Sequence, residues 1–161
     1  MTVSEYNQSV DLFSDNIYRF VLKNLKDSDN SKDIVQDVYE KLWLKRDSVS
    51  FEKVKSYLFT AAHHTMIDAI RKDKRTEGLG EDEYLQPFHN EQYSDLQEVL
   101  HEALDKLPAV QKSVILLRDY EGYDYSEIGK ITGLNESQVK VYIYRARIFL
   151  KNYIGSLDAV I

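Results

Sequence analysis

The sequence predicts an all-α protein of two small helical units joined by an acidic linker. Apolar residues recur at three- and four-residue spacing through almost every segment outside the middle, and strand-like alternation is nearly absent. That periodicity lapses over residues 76–93, TEGLGEDEYLQPFHNEQY, where two of the six glycines and one of the two prolines fall. Charge divides the chain in the same place: residues 77–107 hold nine acids and one base, more than the whole net charge of −6. The expected organisation is therefore a unit over 1–75, a flexible acidic linker over 76–93 and a second unit over 94–161.

In the first unit a helix is expected over 4–25, with Val10, Phe13, Ile17, Phe20, Val21 and Leu25 inward. A second should follow KDSDNSK, capped by Asn30 or Ser31 and buried through Ile34, Val35, Val38 and Leu42. A third, over 54–74, turns Leu58, Ala61, Ala62, Met66, Ile67 and Ile70 to the core. In the second unit, helices are expected over 94–106, from Pro108 at a first-turn position to 120, over 125–132 and over 136–154. Units of about 60 to 75 residues bury little surface and should each be marginal alone.

Composition excludes several classes. The chain is 43% hydrophobic, too apolar for disorder, yet its longest aliphatic run, Val114-Ile115-Leu116-Leu117, is far short of a membrane span. The start, MTVSEYNQSV, has no charged segment followed by an apolar one, so the chain is expected to be cytoplasmic, without membrane insertion. It has no cysteine, which removes disulfides, thiolate zinc sites and thiol nucleophiles. His63, His64 and Asp68 suggest a metal only in that positions 64 and 68 share a helix face, and no third well-placed ligand joins that pair; no metal, cofactor or catalytic constellation is expected.

The segment YSEIGKITGLNESQVKVYIYRAR, 125–147, has the pattern of a helix-turn-helix. Gly129 lets the second helix approach closely, and Gly133 can take the left-handed conformation that ends the first. Asn135 and Gln138 are spaced as a capping box. Val139, Ile143, Ala146 and Leu150 share one face, which leaves Ser137, Gln138, Lys140, Val141, Tyr142, Arg145 and Arg147 for DNA, with Ser126 on the preceding helix. Gln138 suits adenine, Lys140 a phosphate or guanine, and Val141 a thymine methyl. No acid occurs between 137 and 154, so a local basic surface exists in an acidic chain; phosphate senses charge within about 8 Å. Val141, Tyr144 and Ile148 form a second apolar stripe, expected to be covered by the first unit or by an inhibitor protein.

The first unit carries DIVQDVYEKLW and YLFTAAHHTMIDAIRKDKR, where aromatics precede a basic run, as single-stranded bases and phosphates require. With LPAVQKSVILLRDYEGYDYSEIGKITGLNESQVKVYIYRARIFL, these three segments, in this order, resemble an extracytoplasmic-function sigma factor of the sigma-70 family. The resemblance covers nearly the whole chain except the linker. It implies a sigma factor that binds core RNA polymerase and starts transcription at promoters with −10 and −35 elements. On that basis Asp33, Gln36, Asp37, Glu40 and Leu44 would dock on the β′ clamp helices. The loop over 47–55 would hold a flipped −10 base, with Lys53, Lys55, Tyr57, His64, Arg71, Lys72, Lys74 and Arg75 at the −10 DNA. The second unit would read the −35 element and touch the β flap, the acidic linker would thread polymerase channels as a nucleic-acid mimic, and an anti-sigma factor is an implied partner. The chain departs from the family at His64, where asparagine is usual, and at Val141-Tyr142, where serine-arginine is common. Its promoter preferences should differ accordingly. A free-standing helix-turn-helix regulator and a polymerase adaptor that binds no DNA are the alternative readings.

Overall fold

A computed structural model describes residues 1–76 and 95–158, so the 76–93 linker lies almost wholly outside the described residues. Helix α1 spans Val3–Leu25. It opens on a capping box in which Thr2 Oγ1 accepts from Glu5 N at 3.0 Å and the Glu5 carboxylate accepts from Thr2 N at 2.8 Å. It ends where Lys26 takes a left-handed backbone, φ 59°. Helix α2, Ser28–Leu44, is capped by Asp27, which accepts from Asn30 N at 3.1 Å, and not by Asn30 or Ser31. A carboxylate meets the positive end of the helix better than an amide or hydroxyl, and starting there carries Ser31 inside, where its hydroxyl donates to Asp27 O at 2.7 Å. Two 3-10 turns, Arg46–Ser48 and Phe51–Lys53, lead into α3, Val54–Thr76.

These three helices enclose Ile17, Phe20, Val21, Ile34, Val38, Leu42, Leu58, Phe59, Ala62 and Met66. Val10, Phe13, Leu25, Val35, Ala61 and Ile70, expected inside, sit partly buried at its edge. Tyr39 is locked to α1 by donating to Ser9 O at 2.8 Å, and burial pushes its phenol up to about 12.

The second unit contains α4 (Asp95–Asp105), α5 (Ala109–Asp119), α6 (Tyr125–Thr132) and α7 (Glu136–Asp158). Pro108 stands at the N-cap of α5, with φ −55° and ψ 147°, one residue before the first turn where it was expected. Helix α5 explains the aliphatic run: every residue from Lys112 to Leu117 is buried. Such a helix is apolar nearly all round because neighbours surround it, here α1 and α3 on one side and α6 and α7 on the other.

The two units share one core, and the seam between them is closely made. Phe59 of α3 is fully buried, with Phe20 at 5.5 Å on one side and Tyr123, from the α5–α6 loop, at 5.3 Å on the other. His63 Nε2 lies 3.0 Å from Ser113 Oγ. Lys112 Nζ donates to Asp105 Oδ1 at 2.8 Å and to Asn24 O at 3.3 Å, and Lys26 reaches the same Asp105 carboxylate at 3.1 Å. The second stripe of α7 is not covered by the first unit: Val141, Tyr144 and Ile148 are 43, 66 and 41% exposed.

Candidate nucleic-acid interface

The helix-turn-helix is held by local interactions legible at its own residues. Asp124 caps α6 by accepting from Glu127 N at 2.8 Å, and Gly133 ends it at φ 81°. A Cβ on Gly129 would stand 2.8 Å from Leu134 O, so the turn closes against bare backbone. Asn135 Oδ1 then accepts from Gln138 N at 2.8 Å, while Gln138 Oε1 accepts from Asn135 N at 3.0 Å. Val139, Ile143 and Ala146 are buried and Leu150 packs at the edge of the core, which fixes the rotation of α7.

That rotation exposes Ser137, Gln138, Lys140, Val141, Arg145 and Arg147, with Ser126 exposed on α6. Four of the candidate positions on α7 acquire a meaning beyond exposure or differ in it. The Gln138 side-chain oxygen accepts in the cap, which leaves its amide NH2 free for DNA, and a paired donor–acceptor contact to adenine would have to share that oxygen with the cap. Arg147 is paired with Asp119 at 2.8 Å, at the end of α5. Tyr142 is half-buried and turns toward the first unit. Lys140 Nζ stands 5.7 Å from the Tyr125 ring, whose other cation is Arg118 at 4.7 Å.

On the first unit, Lys53, His64, Arg71, Lys72 and Lys74 are exposed, whereas Lys55 and Tyr57 are partly buried and the Arg75 side chain lies outside the described ones. Lys55 Nζ is 5.2 Å from the Tyr123 ring, so the seam engages one of the −10 candidates. His64 points away from the core that holds its neighbour His63. On α2, Asp33, Gln36, Glu40 and Leu44 are exposed; Asp37 is partly covered and pairs with Lys41 at 3.2 Å. Leu44, 83% exposed, is a large apolar side chain with no cover at the end of that acidic face.

A groove of about 330 Å³ brings members of the two sets of DNA candidates together, with Arg71 and Lys74 of α3 and Tyr142 of α7 along its walls. The sequence reading missed the groove and the seam. Phe59, His63, Ser113 and Tyr123 carry no signal of pairing across that separation, and in the sequence His63 reads only as a possible ligand. Among the described residues no group of three His, Asp or Glu side chains is placed to hold a metal, and no helix is long and apolar enough to cross a membrane.

The geometry defines a class, a two-unit helical protein with a helix-turn-helix and basic surface on both units. The Sigma-70, region 4 family matches residues 97–150 and the Sigma-70 region 2 family residues 10–76. RNA polymerase sigma factor SigV of Bacillus subtilis (strain 168) is 36% identical, over 80% of this chain and 78% of its own. ECF RNA polymerase sigma factor SigM of the same organism is 28% identical, over 94% of each chain. The sigma factor RpoE from Bartonella quintana, solved in complex with the anti-sigma factor NepR, superposes with a TM-score of 0.79 at 26% identity, over 95% of this chain and 98% of that one. The chain belongs to the sigma-70 family, in its extracytoplasmic-function branch. It is a sigma factor of bacterial RNA polymerase, acting in promoter-directed transcription initiation.

Proposed function

We propose that the two units divide promoter reading: residues 1–75 dock on core polymerase and take the −10 element, and residues 94–161 read the −35 element through the N-terminal turns of α7. The observation that carries this reading is the reciprocal Asn135–Gln138 cap, which presents Ser137, Lys140 and Val141 outward beside a core-anchored Val139. Ser126 and Arg145 flank them for phosphate, with Arg147 available if it leaves Asp119. In the first unit, Lys53, Lys55, Tyr57 and His64 serve the −10 bases, and Arg71, Lys72, Lys74 and Arg75 the backbone.

The compact arrangement is the resting form of the free chain. Elements named −10 and −35 lie roughly 80 Å apart at about 3.4 Å per base pair, whereas Tyr142 shares a groove with Arg71 and Lys74. The units therefore part when the protein works. An anti-sigma factor is the partner we assign to the free form, because the likeness to RpoE in its complex with NepR runs through both units. The site of action is the cytoplasm, and the protein has no catalytic role of its own.

Polymerase docking belongs to α2, where Asp33, Gln36, Asp37 and Glu40 form a polar face ending in Leu44. An Asp33→Arg, Glu40→Arg variant should keep its thermal stability, because both side chains are exposed, yet lose co-purification with core polymerase. Retained association would remove the docking assignment.

A further inference from the structure

The seam contains a histidine whose proton is placed by its neighbours. His63 is 4% exposed, and its Nε2 lies 3.0 Å from Ser113 Oγ. Ser113 donates its own proton to Val110 O at 3.1 Å, so its oxygen receives Nε2–H. Nδ1 is then the bare nitrogen, and it is buried without a hydrogen-bond partner. A second proton has only Nδ1 to occupy, where it would create a desolvated cation with no acceptor. Besides burial, the groups acting on the ring are His64 and Arg71, both on α3, and no carboxylate among the described residues offsets them. Lys112, next to Ser113, is tied to Asp105.

We propose that His63 is a proton-sensitive latch between the two units. Neutral, it ties α3 to α5 through Ser113; protonated, it leaves the seam for water and the units separate. The latch rests on the reading that the units part when the protein works. Beside it, Phe59 and Tyr123 contribute closure that does not depend on pH.

Burial, with His64 and Arg71 adding to it, pushes the His63 imidazole down to about 4 from its ordinary 6.5. The closed form thus binds fewer protons than the open one. Closure is at full strength above pH 6.5 and weakens progressively as pH falls toward 4. Between pH 7.5 and 5 the open-to-closed ratio should rise on the order of 20-fold.

Because the chain has no cysteine, labels can be attached at Lys32→Cys on α2 and Asn152→Cys on α7, both exposed. Inter-label distance by electron spin resonance, followed from pH 7.5 to 5 alongside helicity by circular dichroism, reads separation without polymerase or DNA. Its outcome is therefore independent of whether the promoter assignments hold. The expected result is the 20-fold rise at constant helicity. His63→Gln can still donate to Ser113 but does not titrate, so its open fraction should change with pH far less than that of the wild type, whatever its starting value. Ser113→Ala deprives Nε2–H of its acceptor and should be more open at pH 7.5. His101 on α4, which burial also pushes down, stays in place in both variants, so any contribution from it persists in His63→Gln. An unchanged wild-type distance, an equal pH response in His63→Gln, a closed Ser113→Ala with the wild-type response, or separation only with loss of helix would each overturn the latch.

Discussion

At Gly129 a single hydrogen atom in place of a methyl group decides whether α7 can be seated. The atom a Cβ would strike is the Leu134 carbonyl oxygen, 2.8 Å away, and backbone does not swing aside as a side-chain tip does. Gly129→Ala should cost about 1–3 kcal/mol, measured as a fall in denaturant midpoint with unchanged slope. Full stability would show that the turn relaxes easily. Gly129, Gly133, Asn135 and Gln138 were legible in the sequence because each acts on partners within a few residues. Asp27 was not: all five residues from 27 to 31 are capping types, and the choice among them depends on how α2 must enter the core, with Ser31 buried. Gln138 was legible as a cap and as a candidate base reader, but only the hydrogen bonds reveal that the two uses would draw on one oxygen.

At the scale of the element, α7 combines a buried stripe, a basic face and an uncovered apolar stripe. Lys140 lies on the basic face, and its loss should act through phosphate neutralisation. Lys140→Ala is expected to weaken promoter binding by the holoenzyme across sequences and to reduce the slope of log affinity against log salt by about 1. A change confined to one −35 base would instead make Lys140 a base reader. Helix α5 shows the limit of periodicity. Val114-Ile115-Leu116-Leu117 has no polar side to place it, so the sequence predicted a helix there without showing that it is the central one. Likewise, the stripe of Val141, Tyr144 and Ile148 was legible as apolar, but of the two covers expected for it the first unit is not one, because that unit meets α7 at Tyr142 instead.

Across the whole molecule, the division into two units was legible, whereas their closure was not. Hydrophobic spacing reports which face of a helix is buried but not whose core it joins. Phe59 reads as another inward residue of α3, although one side of its ring packs on Tyr123 of the other unit. Tyr123→Ala should uncouple the units, resolving one calorimetric transition into two and weakening the seam by about 3 kcal/mol. A single transition at unchanged temperature would assign the coupling elsewhere. The measurement that bears most directly on the division of promoter reading is transcription by reconstituted holoenzyme on a library randomised at both promoter elements. The wild type should select one −10 and one −35 sequence; His64→Asn should alter the selected −10 bases alone, and Val141→Ser the −35 bases alone. Loss of selectivity at both elements from either substitution, or selection that neither substitution moves, would contradict the assignment of α3 and α7 to separate elements.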